Sequence, residues 1–268
     1  MVRRTGTALL LLALILPAIY FGGVFYSLVA AAFLVTATWE YVHMFSLRGS
    51  KPSLVVSIGG VFIILATRLF APAAAGAALS AVVLVALTVH LIDYERGRDQ
   101  AALDFAITVG AIAYLGWVGA YMIDLRLLPN GGWWIMLVFP VVWLSDSGAY
   151  MIGVKYGRHK MLPRLSPHKS WEGYFAGVIG GMICGAFFAF AYTRFGPLNL
   201  SVWQGALLGL ILGVLTTLGD VGESLFKRFA SVKDSGALFP GHGGAFDRID
   251  SLIWAAVIGY FCVRFWLT

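Results

Sequence analysis

Residues 233–250 read KDSGALFPGHGGAFDRID, and they set Lys233, Asp234, Asp247, Arg248 and Asp250 against the apolar run that follows. Asp247 and Asp250, three apart, share one face of a first helical turn. The positive end of the helix dipole favours a carboxylate there, but two of them repel each other. A hard cation such as Mg²⁺ removes that repulsion, because it binds one or two carboxylates together with substrate phosphates. A pair of helix-start caps is the plainer alternative, and it explains one Asp better than two preceded by His-Gly-Gly. Ser235, Gly236, Pro240, Gly241, Gly243 and Gly244 describe a tight loop whose N–H groups can approach an anion closely.

Three further polar groups accompany this one. In TTLGDVGESLFKR (216–228), Asp220, Glu223, Ser224 and Lys227 fall at i, i+3, i+4 and i+7 and therefore on one helical face, at the end of an apolar span. A surface helix laced with salt bridges would show the same spacing. In SPHKSWEG (166–173), Pro167 interrupts any helix and Ser170 can cap the next one, with Glu172 in its first turn. Lys169 and Ser170 then stand at a helix N-terminus, where phosphate oxygens bind readily. The surrounding basic loop is also the ordinary topology signal of a membrane protein. In WLSDSGAY (143–150), Asp146 lies near the end of an apolar span. A charge at mid-bilayer costs roughly 2.5–3.5 kcal/mol, so Asp146 must face protein or water, as a structural or a functional group. Cations for phosphates, carboxylates for a metal and glycine loops for close approach are the parts of phosphoryl or nucleotidyl transfer.

The elements that must position these residues are membrane helices. The 268-residue chain is 60% hydrophobic and 12% charged, well below the roughly 25% charged residues of soluble domains. Nine candidate spans lie near 6–21, 23–45, 53–70, 74–92, 102–122, 132–152, 174–194, 202–220 and 248–267. With the N-terminus in the cytoplasm, the inner segments carry 15 of the 19 Lys and Arg residues. That is the asymmetry of positive loops retained inside. Trp133, Trp134, Trp203 and Trp266 fall at the outer interfaces, as amphipathic rings prefer. The first apolar run is read as a retained span rather than a signal peptide, since it lacks a small-residue cleavage site. Cys184 and Cys262 lie in apolar runs and imply no disulfide framework. The net charge of +6 belongs with cytoplasmic loops and anionic lipid or substrate, not nucleic acid. The expectation is an all-α polytopic bundle in a single domain over 1–268, with 1–125 as scaffold and 126–268 as the catalytic half.

The stretch SLFKRFASVKDSGALFPGHGGAFDRID (224–250) resembles the signature of the phosphatidate cytidylyltransferases, or CDP-diacylglycerol synthases. LSDSGAY and SPHKSWEG resemble further blocks of that family, and the likeness spans nearly the whole chain. Ala245 stands where a larger apolar residue is usual, and Val154 where a basic one is frequent. The resemblance implies transfer of a cytidylyl group from CTP to phosphatidate, giving CDP-diacylglycerol and pyrophosphate, with Mg²⁺ required and room for a second cation. On this reading Asp220, Asp247, Asp250 and Asp146 hold metal, and Lys227 and Arg248 act with the first three of these in catalysis. Lys169, Arg228 and Lys233 bind substrate phosphates, while Ser170, Ser224, His242, Gly243 and Gly244 orient oxygens. The acidic side chains of these separate segments are expected to meet around a bound cation. The protein would sit in the bacterial cytoplasmic (inner) membrane among its lipids, with the site facing the cytoplasm, and a homodimer is compatible with the sequence. A CTP-dependent lipid kinase, or a cytidylyltransferase for another lipid phosphate, would show the same residues. An ion-coupled transporter would place its acids nearer the midplane and in repeated halves.

Overall fold

A computed structural model describes residues 2–239 and 243–267. The chain is an all-α polytopic membrane protein, and each of the nine expected spans lies on helix. Among the described residues, seven helices are long and apolar enough to cross a membrane, and Leu11–Phe21 and Leu54–Phe70 are shorter apolar helices. In chain order the elements are α1 (Val2–Phe21), α2 (Gly23–Ser46), α3 (Leu54–Phe70), α4 (Ala75–Glu95), α5 (Ala101–Ala111), α6 (Tyr121–Leu127), α7 (Gly131–Tyr156), α8 (Trp171–Phe195), α9 (Val202–Leu215), α10 (Thr217–Ala230) and α11 (Phe246–Cys262). A π-helical stretch, Ile112–Val118, joins α5 to α6, and a second one, Val263–Leu267, extends α11. A short antiparallel hairpin, β1 (Lys160–Leu162) and β2 (Ser166–Ser170), connects α7 to α8.

The chain divides into two compact units, Met1–Asp124 with Phe226–Ile249, and Leu125–Leu225 with Asp250–Thr268. In the first unit, Leu34, Ala37, Ile64, Ile112 and Leu115 are fully buried. Gly60 lets α3 approach its neighbours, since a methyl there would stand 2.5 Å from Val82 Cγ1 and 3.1 Å from Ile112 Cγ1. The polar ends of these helices are tied by one buried carboxylate. Asp104 accepts from the Lys51 amide at 2.7 Å and from Arg98 Nε at 2.7 Å, while Arg98 Nη2 donates to Gly49 O at 2.8 Å. The loops before α3 and before α5 are thereby fixed together.

The second unit is built on small residues spaced by four. Gly173, Gly177, Gly181 and Gly185 lie along one stripe of α8, and Gly205, Gly209 and Gly213 along one of α9. A methyl on Gly185 would run into the carbonyl oxygen of Gly205, and one on Gly209 into that of Gly181. Toward the N-terminal end of the same stripe, a methyl on Gly177 would stand 2.9 Å from Ala149 Cβ of α7, and Ser145 Oγ donates to Gly177 O at 2.7 Å. Lipid tails are as apolar as leucine, so helix association inside a bilayer relies on this close approach and on such interhelical bonds.

Gly185→Ala is therefore expected to lower the thermal midpoint of the detergent-solubilised protein by roughly 2–10 °C at fixed scan rate, an overpacking penalty of about 1–3 kcal/mol. Gly76→Ala, where a methyl meets nothing within 4 Å, serves as the control and should leave the midpoint unchanged or slightly raised. Equal midpoints for Gly185→Ala and wild type would show that α8 and α9 can separate freely.

Candidate active site

In the second unit the site grows from the junction of α7, the hairpin and α8. Ser170, buried at the start of α8, accepts from the Gly173 amide at 3.3 Å and so caps the helix. Glu172 reaches back and accepts from the Arg158 and His159 amides at 3.2 Å each, with His159 Nδ1 2.6 Å from its Oε1. Gly157 stays close because a methyl there would stand 2.5 Å from Ser170 Oγ. Held in this way, Lys169 extends its ammonium to 2.8 Å from Asp220 Oδ2 on α10. Asp146 of α7 lies within electrostatic range of both Lys169 and Asp220. Ser224 Oγ sits 3.5 Å from Asp220 Oδ1, one turn further along α10. The Lys169 and Asp220 side chains keep 24% and 41% of their surface, so this cluster is open to a ligand.

In the first unit the C-terminal end of α10 and the N-terminal end of α11 are joined by the glycine-rich segment. The Val232 amide bonds Lys227 O at 3.0 Å and the Ser231 amide bonds Arg228 O at 3.2 Å, a double closure that leaves Ser231 left-handed at φ 58°. Arg48 Nε donates to Phe229 O at 2.7 Å, adding a cation at the negative helix end, and Arg48 Nη2 bonds Ser231 Oγ. The chain then turns so that Asp247 is enclosed. Its Oδ1 lies 2.8 Å from Lys227 Nζ, and its Oδ2 accepts from Ser235 N at 2.9 Å, Ser235 Oγ at 2.8 Å and Gly244 N at 2.8 Å. Gly243 adopts φ 80°, a conformation that favours glycine, and a methyl there would collide with Asp247 Oδ2. The Lys227 and Asp247 side chains retain 15% and 8% of their surface. Each charge has the partner that burial in a low dielectric demands.

Among the described residues, no three His, Cys, Asp or Glu side chains form a group able to hold a metal ion. Lys–carboxylate clusters of this kind suit the binding of phosphate groups. The sequence profile of the cytidylyltransferase family matches residues 2–266. The chain belongs to that family. Relatives named phosphatidate cytidylyltransferase from Staphylococcus haemolyticus, Staphylococcus saprophyticus and Staphylococcus aureus are 35%, 34% and 35% identical to it over 257 residues, 94% of this chain and 94% of each relative.

For this cytidylyltransferase-family chain, the structure brings together Lys227, Gly243, Gly244 and Asp247 in one unit, and Asp146, Lys169, Asp220 and Ser224 in the other. Asp250 stands one turn along α11 from Asp247, with its Oδ1 2.6 Å from the Ser251 amide. Arg228, Lys233 and Arg248 are exposed. His242, with Pro240 and Gly241, lies outside the described residues. One residue that the sequence pattern did not place near the site, Glu40, turns out to shape it through Ser235 of the glycine-rich loop. Glu40, readable only as a bundle contact, accepts from the Ala245 and Phe246 amides at 2.9 and 2.8 Å, and Ser235 bonds both Glu40 and Asp247. The signal available was the carboxylate itself: an acid inside an apolar span needs a partner.

Asp247→Asn sets an amide NH₂ against either the Lys227 ammonium or the Ser235 and Gly244 N–H groups. Cytidylyl transfer by this variant is expected to fall at least about 100-fold, while the purified protein remains monodisperse in detergent. Full turnover in the variant would show that the charge at this position is dispensable.

Proposed function

We propose that the chain is a phosphatidate cytidylyltransferase, forming CDP-diacylglycerol and pyrophosphate from CTP and phosphatidate at the cytoplasmic face of a bacterial inner membrane. The observation that carries this reading is the end-to-end likeness to the staphylococcal phosphatidate cytidylyltransferases, which covers 94% of both chains. The chemistry of the two clusters agrees with it. An oxygen of the lipid phosphate attacks the α-phosphorus of CTP, a P–O bond forms there, and the bond to the bridging oxygen of the departing pyrophosphate breaks. A phosphomonoester has a second pKa of about 6, so its dianion is nucleophilic at neutral pH and needs no strong base. The protein's task is then to hold two anions in line and neutralise their charge.

Lys169, which touches Asp220, and the exposed Arg228, Lys233 and Arg248 supply the cations for the phosphates. Asp146 and Asp220, which interact electrostatically, are the carboxylates in this unit that would hold a Mg²⁺ ion, a cation that takes one or two carboxylates together with substrate phosphates. When bound, Mg²⁺ would neutralise charge on the triphosphate and on the leaving pyrophosphate. Asp247 offers a metal only Oδ1, because Oδ2 already accepts from three donors. Asp250, a turn further on, remains assigned to the same role.

Two experiments test the reading. Purified protein given phosphatidate, Mg²⁺ and CTP labelled at the α-phosphate should move label into the organic phase and release one pyrophosphate per lipid product. Chelation should abolish this, and added Mg²⁺ restore it. Release of CDP in place of pyrophosphate would identify a lipid kinase. For orientation, Arg164→Cys in a chain with Cys184→Ser and Cys262→Ser should react with a membrane-impermeant maleimide in inside-out vesicles and not in spheroplasts. The reverse pattern would place the hairpin outside.

A further inference from the structure

Glu40 is 1% exposed, less than two turns from the C-terminal end of α2, a helix with no other Asp, Glu, Lys or Arg, yet its partners all lie some 200 residues away in sequence. Oε1 accepts from the Ala245 amide at 2.9 Å, and Oε2 accepts from the Phe246 amide at 2.8 Å and from Ser235 Oγ at 2.9 Å. These two amides belong to the start of α11, where the helix has N–H groups with no intrahelical partner and a positive dipole end. Glu40 therefore caps α11 from another helix. Gly236 and Gly244 press against its carboxylate, and a methyl on either would collide with Oε1. On the far side of Ser235, the same hydroxyl lies 2.8 Å from Asp247 Oδ2. That hydroxyl has one hydrogen and two carboxylates facing it, so the two acids share a single donor.

We propose that Glu40 is a positioning residue for the transfer reaction: through Ser235 and the Ala245 and Phe246 amides it sets where the Asp247 carboxylate and the Gly243–Gly244 turn stand. The proposal rests on the functional reading above. Glu40 contacts neither substrate in this role and acts only through the segment that carries Asp247. Glutamine does not substitute for it, because both oxygens accept backbone N–H groups and an amide NH₂ would oppose one of them. Aspartate is one methylene too short to span both amides and Ser235.

The test compares wild type with Glu40→Gln, Ser235→Ala and the double variant, as full-length protein in detergent–phosphatidate micelles, with turnover expressed per folded molecule. Glu40→Gln is expected to lower kcat about 10–100-fold, as loss of an outer partner that orients a functional side chain does, with KM for CTP changed less than about threefold. Ser235→Ala removes only the shared hydroxyl and should lower kcat as well. Because both act on one path, the double variant should be little worse than the weaker of the two singles. A purely structural Glu40 would lower the thermal midpoint and the folded yield while leaving kcat per folded molecule at the wild-type value, and that result overturns the proposal. So does a double variant whose loss is the product of the single losses. If Glu40→Gln does not fold, Ser235→Ala decides alone, and wild-type kcat in it overturns the proposal. Wild-type protein that makes no CDP-diacylglycerol overturns the functional reading and this proposal with it, whereas active wild type with unaffected variants overturns this proposal only.

Discussion

Two carboxylates, Glu40 and Asp247, are enclosed by the backbone of residues 235–236 and 243–246, and the course of those stretches follows from satisfying them. A buried carboxylate without donors is strongly destabilising, and among the described residues the donors to these two are loop amides, one serine hydroxyl and one lysine. The amides of Ser235, Gly244, Ala245 and Phe246 all point at one or other acid. To bring them there, the chain must pass against the carboxylates at Gly236, Gly243 and Gly244, positions where any side chain would collide. The glycines that make the stretch look like an anion-binding loop thus already surround anions, and those anions are the protein's own. Lys227 and Arg48 complete the arrangement by fixing the end of α10 from which the segment departs.

The second unit solves a different problem in a different way. Its helices approach closely through small residues, so backbone packing, rather than buried charge, fixes α7, α8 and α9. The Lys169–Asp220 pair rests on that frame but is half open, and an exposed pair contributes at most about 1 kcal/mol to stability. Stability does not account for its placement. A lysine and two carboxylates kept within electrostatic range suit a site whose charges are balanced only when an anionic substrate binds together with a cation. Lys227 and Asp247, by contrast, are nearly enclosed and contribute order.

Much of this was legible in the sequence because it depends on local rules. Ser170 followed by Glu172 marks a helix start after Pro167, and the helix begins there, with Glu172 turned back onto the Arg158 and His159 amides. The stripe from Asp220 to Lys227 is one helix, and Phe246 opens the last one just before Asp247. The glycines of α8 and α9 were visible at their spacing of four, but spacing alone does not tell which stripe meets which. Glu40 was less legible still. Its residue type says that a partner is required, but the partners are backbone amides, which carry no sequence identity, some 200 residues further on. The bond from Arg48 to Phe229 O was hidden for the same reason. What joins distant segments in this chain is largely main chain, and side-chain patterns do not record it.

The saturation of Asp247 also bears on the chemistry. A general base needs a lone pair facing the proton it takes, whereas Oδ2 already has three donors and Oδ1 faces an ammonium at 2.8 Å. A carboxylate so held cannot accept a proton without losing the bonds that fix the loop. A nucleophile with an acidic hydroxyl of its own would not require one. The phosphomonoester of phosphatidate is such a nucleophile, already doubly ionised near neutral pH. An acid locked in place by its own backbone is thus suited to a reaction that asks for fixed charge and geometry rather than for proton transfer. Cytidylyl transfer to a lipid phosphate is a reaction of that kind.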